Sequence, residues 1–337
     1  MDNVNLKKLA EELNLAVSTV SRALRDSHEI SRETKDRVKA LALKLGFQPN
    51  PHASSLRQHK SKTIAVIIPE IQNNFFSQVM NGVEEVAQQK QYHVLIYLTH
   101  EDHSREKDIL HVLRNGRVDG LMISVSNTTN SFEHLEACLE SGMPLVFFDR
   151  ICENIEAPRI TTDDIEASYK ATEHLVKAGC RDIAFLSMSS NLSISLRRKS
   201  GYTKALNKYG LADREMIVGC GNDDEVNRQK IRELFKQKQN PDGIFASVEK
   251  FAINTYEVCR ELGLNVPRDL KIISFSNLSA AALFDPPLSS IVQPAYEIGK
   301  EATSILFKII EKKMLLPAEK KITIASRIVE RRSTGAE

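Results

Sequence analysis

From Thr63 onward the chain repeats one pattern, a short apolar run of strand length followed by a longer amphipathic stretch. The runs are TIAVIIP from Thr63, HVLIYL from His93, GLMIS from Gly120, PLVFFD from Pro144, DIAFLS from Asp182, GIFAS from Gly243 and LKIISF from Leu270. Near-continuous apolar runs of this length suit strands covered on both faces. Their alternation with helical stretches, such as the one carrying Val79, Gly82, Val83 and Val86 on one side, specifies α/β architecture with doubly wound parallel sheets. Four runs precede Ile160-Thr161-Thr162 and three follow it. Two similar lobes in succession imply a hinged clamshell.

The first sixty residues read differently. In a first helix, Leu6, Leu9, Ala10 and Leu13 form one stripe at i, i+3, i+4, i+7. Asn14 follows at a sharp turn, where a residue tolerant of the left-handed conformation is needed. A second helix, about Val17 to Leu24, buries Val20, Ala23 and Leu24 and turns Val17, Ser18, Ser21, Arg22 and Arg25 outward. A third begins after Ser31, a favourable N-cap, and runs through Val38, Leu41, Ala42 and Leu45 to Gly46. Two helices joined by a tight turn, the second rich in small polar residues and arginine, match a helix-turn-helix, whose second helix enters the DNA major groove. There Arg22 can pair with guanine, Ser18 can bond either partner and Val17 can touch a thymine methyl. A three-helix cap with a polar surface has the same spacing.

Charge divides along the same line. Residues 1–62 hold 12 Lys+Arg against 7 Asp+Glu, net +5, and the rest hold 34 against 37, net −3. A basic head on a slightly acidic body suits a polyanion at the head alone. With 42% hydrophobic and 27% charged residues among 337, the composition is that of a globular protein. No apolar run reaches the roughly 18 residues of a membrane span, and MDNVNLKKLAEELN has no signal-peptide core, so no membrane partner and a cytoplasmic location are expected. The five cysteines, without a CxxC pair, read as reduced core thiols. Neither a metal nor a cofactor is expected.

The stretch from Asn5 to Arg57 closely resembles the DNA-binding head of the LacI/GalR family. The resemblance is carried by Val17-Ser18-Thr19-Val20-Ser21-Arg22, followed by Pro49-Asn50 and Ala53-Ser54-Ser55-Leu56-Arg57. It implies DNA contacts from Val17, Ser18, Thr19, Ser21, Arg22, Arg25 and Ser31, and from Asn50, Ala53, Leu56 and Arg57 of a hinge. Ala53 to Arg57 is too short to be helical alone. In the family such a segment folds when two copies meet in the minor groove, where Leu56 would wedge open the central base step. The resemblance thus implies a homodimer on a near-palindromic double-stranded operator.

It continues through the body. Pro287-Leu288-Ser289-Ser290-Ile291-Val292-Gln293-Pro294 resembles the crossover that returns the family's chain to its first lobe, as in a periplasmic-binding-protein-like effector domain. The expected division is residues 1–46 for the head and 47–61 for the hinge helix and linker. Residues 62–161 with 292–320 then form the first lobe, and 162–291 with 321–332 the second, with one strand from Ile322 to Val329 returning to that second lobe.

Ligands of doubly wound sheets bind beyond the carboxyl ends of the strands. That rule selects Asn73, Phe75, Phe76, Ser124, Asp149, Arg150, Arg198, Glu249 and Asn277, with Ser276 adjoining. By resemblance, Phe75 and Phe76 supply an aromatic wall, and Arg198, in an Arg-x-x-Gly turn with Gly201, reaches a hydroxyl or carboxylate of a small-molecule effector, a sugar or sugar derivative. Many sugar-binding members carry Asn-Asp and Asp-Asp where this chain has Val248-Glu249 and Ser276-Asn277, which raises the expectation of an unusual or anionic sugar.

Fragments that suggest catalysis have simpler readings. His100-Glu101-Asp102-His103 lacks the helical spacing of a zinc site and reads as a solvated turn. Gly219-Cys220-Gly221 is an isolated Gly-x-Gly, and His174 lies on the apolar side of a helix as a core histidine. A helix-turn-helix fused to a sugar-metabolising enzyme leaves the cleft without catalytic groups, and a solute-binding protein requires export. The sequence is therefore read as a ligand-responsive transcription regulator, not an enzyme. One local departure is testable: the family usually has Ser at the cap of the reading helix, where this chain has Ala16. Ala16→Ser is expected to stabilise the head by about 1 kcal/mol, read as a higher melting temperature; an unchanged or lower one contradicts the capping argument.

Overall fold

The computed structural model describes residues 5–24, 26–47, 60–188, 192–236 and 240–335, in two compact units divided between Ser61 and Lys62. The first unit holds α1 (Leu6–Leu13), α2 (Val17–Leu24) and α3 (Arg32–Lys44). Asn5 caps α1 by accepting the Lys8 amide at 3.0 Å, and Asn14 ends it in the left-handed region at φ 54°. Ser31 caps α3 by accepting the Thr34 amide. Leu9, Ala10, Val20, Ala23, Val38 and Ala42 make a single buried core, so each apolar stripe closes on the other two.

The second unit contains two six-stranded sheets. In the first, the order is β11 (Lys321–Ile324), β5 (Arg159–Thr162), β4 (Leu145–Phe148), β3 (Gly120–Ile123), β1 (Thr63–Ile68), β2 (His93–Leu98), every pair parallel. In the second it is β12 (Arg327–Val329), β10 (Ser289–Val292), β9 (Lys271–Phe275), β8 (Gly243–Ala246), β6 (Ile183–Ser187), β7 (Met216–Gly219), and only β12 runs antiparallel. The central strands are buried on both faces, which is why they read as unbroken apolar runs. Helices α4 (Asn74–Gln89), α5 (His103–Leu113), α6 (Glu133–Glu140) and α11 (Ala295–Ile310) cover the first sheet. Helices α7 (Asp164–Lys177), α8 (Ser193–Lys208), α9 (Asp224–Leu234) and α10 (Glu249–Leu262) cover the second.

Two points of the sequence reading change. Ile322 to Val329 is not one strand returning to the second lobe: β11 stays in the first sheet, and the chain crosses at Ala325-Ser326 before β12 joins the second. The crossing is fastened by Ser326, whose amide donates to Asp163 Oδ1 at 2.7 Å and whose hydroxyl bonds that of Thr162. Strand β7, which ends at Gly219, went unread because it is a half-exposed edge of four residues. With the passages at Asp163 and Gln293, three crossovers join the lobes.

Packing of α4 on α11 allows no side chain at two positions. A Cβ on Gly82 would lie 2.1 Å from the Tyr296 carbonyl oxygen, and one on Gly299 2.1 Å from that of Val79. Gly82→Ala is therefore expected to lower the stability of the first lobe by about 1–3 kcal/mol, measured by urea unfolding; no loss would mean that the helices separate freely.

Candidate functional site

In the head, α2 leaves Val17, Ser18 and Arg22 exposed and Thr19 and Ser21 half-buried. Val17 keeps 42% of its surface despite being apolar. The Arg22 guanidinium donates to Glu29 at 2.7 Å, but both partners are about half exposed, so the pair is weak and easily exchanged for another acceptor. Ser31 faces solvent and spends its hydroxyl on Thr34. Ala16 accepts the amides of Thr19 and Val20 through its carbonyl and adds no side-chain cap. Arg25, Asn50, Ala53, Leu56 and Arg57 lie outside the described residues.

In the body, the carboxyl ends of both sheets face each other across a cleft. Its lining brings together Asn73, Phe75, Phe76, Asp149, Arg150, Arg198, Glu249, Ser276 and Asn277. Ser124 lies behind the surface, fully buried, and donates to Asp149 Oδ2 at 3.4 Å. Four further lining residues were not read from sequence: Ile194, Val248, Phe275 and Gln293. Ile194 and Val248 sit at the starts of α8 and α10, where the strand-end rule could have found them. Gln293 was quoted only as part of a crossover. The lobes are bridged by the cleft's own side chains: Asn74 Nδ2 donates to Glu249 Oε1 at 3.0 Å, and Gln78 and Asn277 exchange bonds of 2.8 and 3.2 Å. The space left between them is small, about 30 Å³ for the centres of water-sized molecules.

Each arginine is held by a carboxylate at its back. Arg150 Nη1 donates to both oxygens of Glu101, at 2.7 and 2.8 Å, while its buried Nε has no hydrogen-bond partner and stands 3.9 Å from Asp149 Oδ2. Arg198 Nε donates to Asp164 at 2.8 Å, its Nη1 to the Ser247 carbonyl at 2.6 Å, and its guanidinium lies 3.7 Å from the centre of the Phe275 ring. Phe75 and Phe76 meet edge to face at 5.3 Å on the opposite wall. Asn277 spends its whole amide on protein groups, donating to Gln78 and the Gln293 carbonyl and accepting the Gln293 amide. Ser276 donates to Glu249 at 2.7 Å.

Two readings are corrected here. Arg198 and Gly201 lie not in a turn but inside α8. They face α7, where a Cβ on Gly201 would come within 2.2 Å of the Ile165 carbonyl oxygen. The His100–His103 segment is a turn with His100 and Asp102 exposed, as read, but Glu101 is buried against Arg150 and also accepts the Asn127 amide, and Asp102 caps α5. Nearby Glu106 is fully buried; burial pushes its carboxyl up, yet bonds from His134 and Ser126 hold it below the usual range. His174 does read as expected, half-buried and bonded to Thr334 at 2.8 Å. Among the described residues no group of three or more His, Cys, Asp or Glu is placed to hold a metal ion, and no helix is long and apolar enough to cross a membrane.

These two sites can be set beside known proteins. A family model for bacterial regulatory proteins of the lacI family matches residues 5–50, and one for periplasmic binding proteins and the sugar binding domain of the LacI family matches residues 61–330. The chain belongs to the LacI family. It is 30% identical to catabolite control protein A of Priestia megaterium over 312 residues, 92% of this chain and 93% of that protein. It is equally 30% identical to the ribose operon repressor of Haemophilus influenzae, over 91% of this chain and 92% of that one. The fold matches the lac repressor dimer bound to operator and the anti-inducer ONPF with a TM-score of 0.87, at 20% identity, over 99% and 100% of the two chains. Like its relatives, this LacI-family protein is a helix-turn-helix transcription regulator with a ligand-binding body.

The buried pairs of this regulator have a pH signature. Burial pushes Asp164 up to about 6 although Arg198 lies beside it, and burial likewise raises Asp149. Folded Asp164 thus holds its proton more tightly than the unfolded chain does, so its contribution to stability grows on acidification through about pH 6 and is lost as pH rises. The difference in melting temperature between wild type and Asp164→Asn is expected to shift in favour of wild type as pH falls from about 7.5 to about 5. A pH-independent difference would contradict the assignment.

Proposed function

We propose that the protein is a cytoplasmic homodimeric repressor of carbohydrate-related genes that binds a near-palindromic operator and releases or grips it according to the effector in its cleft. The observation that carries this reading is the cleft itself. It is lined from both lobes, bridged by Asn74–Glu249 and Gln78–Asn277, and framed by three crossovers, so ligand occupancy and lobe angle are one equilibrium. The relatives support the rest: a ribose operon repressor and a lac repressor dimer bound to operator share its family and its fold. Two reading helices lie over successive half-sites, with Val17, Ser18, Thr19, Ser21 and Arg22 toward the bases and Arg25 and Ser31 beside the backbone. Two hinge segments meet at the centre, where Asn50, Ala53 and Arg57 follow the minor groove and Leu56 opens the middle step.

The effector is a sugar or sugar derivative between the Phe75–Phe76 wall and Phe275, with hydroxyls offered to Asp149, Arg150 Nε and Gln293. Binding is its whole chemistry: the cleft supplies no activated nucleophile, and the ligand leaves unchanged. By reciprocity, an effector that weakens operator binding is itself held more weakly by the operator complex.

Footprinting of genomic DNA with the purified protein, with and without a carbohydrate panel, tests the reading. At least one sugar is expected to change operator affinity, and identical footprints with every compound that the cleft binds would overturn it. Within the operator, Arg22→Ala is expected to relax preference at one base pair by about 1–3 kcal/mol and leave the other positions unchanged. Equal losses on all sequences would instead make Arg22 a phosphate contact.

A further inference from the structure

The two cleft arginines look, from sequence, like anchors for an acidic ligand. Their partners say otherwise. Arg150 lends Nη1 to a bidentate bond with Glu101, and Arg198 lends Nε to Asp164 and Nη1 to the Ser247 carbonyl. Glu101 and Asp164 are themselves buried, 9% and 1% exposed, and neither lines the cleft. Of the carboxylates that do line it, Asp149 stands 3.9 Å from Arg150 Nε, and among the described residues Glu249 is held by Asn74 and Ser276 alone. The cleft wall therefore carries two cations already matched from behind, one of them also 3.9 Å from Asp149, and one carboxylate, Glu249, with no basic partner among the described residues. Against this stand the amino ends of α4, α8 and α10, which also reach the lining. Each offers about half a positive charge, which favours an anion as well as the lone pairs of a hydroxyl. Among the described residues the buried Arg150 Nε has no hydrogen-bond partner, and it suits the same kind of acceptor.

We propose that Glu101 and Asp164 set the charge selectivity of the effector cleft: by neutralising Arg150 and Arg198 from behind, they make it a site for uncharged hydroxylated ligands and bar sugar acids and sugar phosphates. The proposal rests on the effector reading above, and adds that selectivity resides in two residues outside the cleft surface. Removing Asp164 takes away the carboxylate bonded to Arg198, and removing Glu101 leaves Arg150 only the more distant Asp149, so in each variant the cleft gains affinity for anions.

Full-length wild type, Glu101→Gln and Asp164→Asn are titrated calorimetrically with glucose 6-phosphate, glucuronate and inorganic phosphate, with glucose as the uncharged control. Wild type is expected to bind none of the three anions in the cleft. Each variant is expected to gain about tenfold or more in affinity for at least one anion, the scale of one charge-assisted hydrogen bond. Adding Arg150→Gln to Glu101→Gln is expected to abolish that gain, which a merely loosened cleft would not show. The amide replacements keep the shape of the side chains, but losing one member of a buried pair destabilises. If one variant fails to fold, the other decides. Anion binding by wild type matching or exceeding that of glucose overturns the proposal, as does a folded variant that gains none. No DNA enters these titrations, so a failure here is distinct from a failure of the effector reading, which is judged by the operator footprints.

Discussion

A guanidinium buried in a protein is tolerable only with a carboxylate in register beside it, and the body of this protein is arranged around two such pairs. Arg150 and Glu101 tie the end of β4 to the loop after β2, and through the Asn127 amide to the loop after β3. Arg198 and Asp164 tie α8 to α7, and through Ser247 to the end of β8. Each pair therefore clamps the strand ends of one lobe at the surface where the lobes meet. The contacts within each lobe are buried ion pairs, whereas those between the lobes are the exchangeable bonds of Asn74–Glu249 and Gln78–Asn277.

Much of this was legible beforehand because it depends on periodicity. The three helical stripes of the head, Asn14 at φ 54° and the Ser31 cap follow from local chemistry alone. The central strands announce themselves because burial on both faces leaves no polar alternation to confuse them. The rule that ligands sit past strand ends placed nine lining residues correctly in space, although their use for binding is a separate matter. Asn277 shows the difference, for its amide is consumed by Gln78 and Gln293.

What escaped the sequence depends on pairing between distant residues. His100-Glu101-Asp102-His103 has the polar composition of a surface turn, and it is Arg150, forty-nine positions from Glu101, that draws this one residue of the four inside. Arg-x-x-Gly looks like a turn because glycine usually ends helices, but Gly201 is inside one so that α8 can lie against the Ile165 carbonyl. Strand β11 looked continuous with β12 because alternation cannot reveal that a strand has changed sheets at Ser326.

That change of sheets has a consequence for synthesis. The first sheet is closed by β11 and covered by α11, and the second is closed by β12, so neither lobe has its full complement of elements until nearly the whole body has left the ribosome. The interlocked glycines of α4 and α11 join segments more than two hundred residues apart. Both sheets are therefore completed late in synthesis, and the edges that β11 and β12 come to cover stay open to other strands until then.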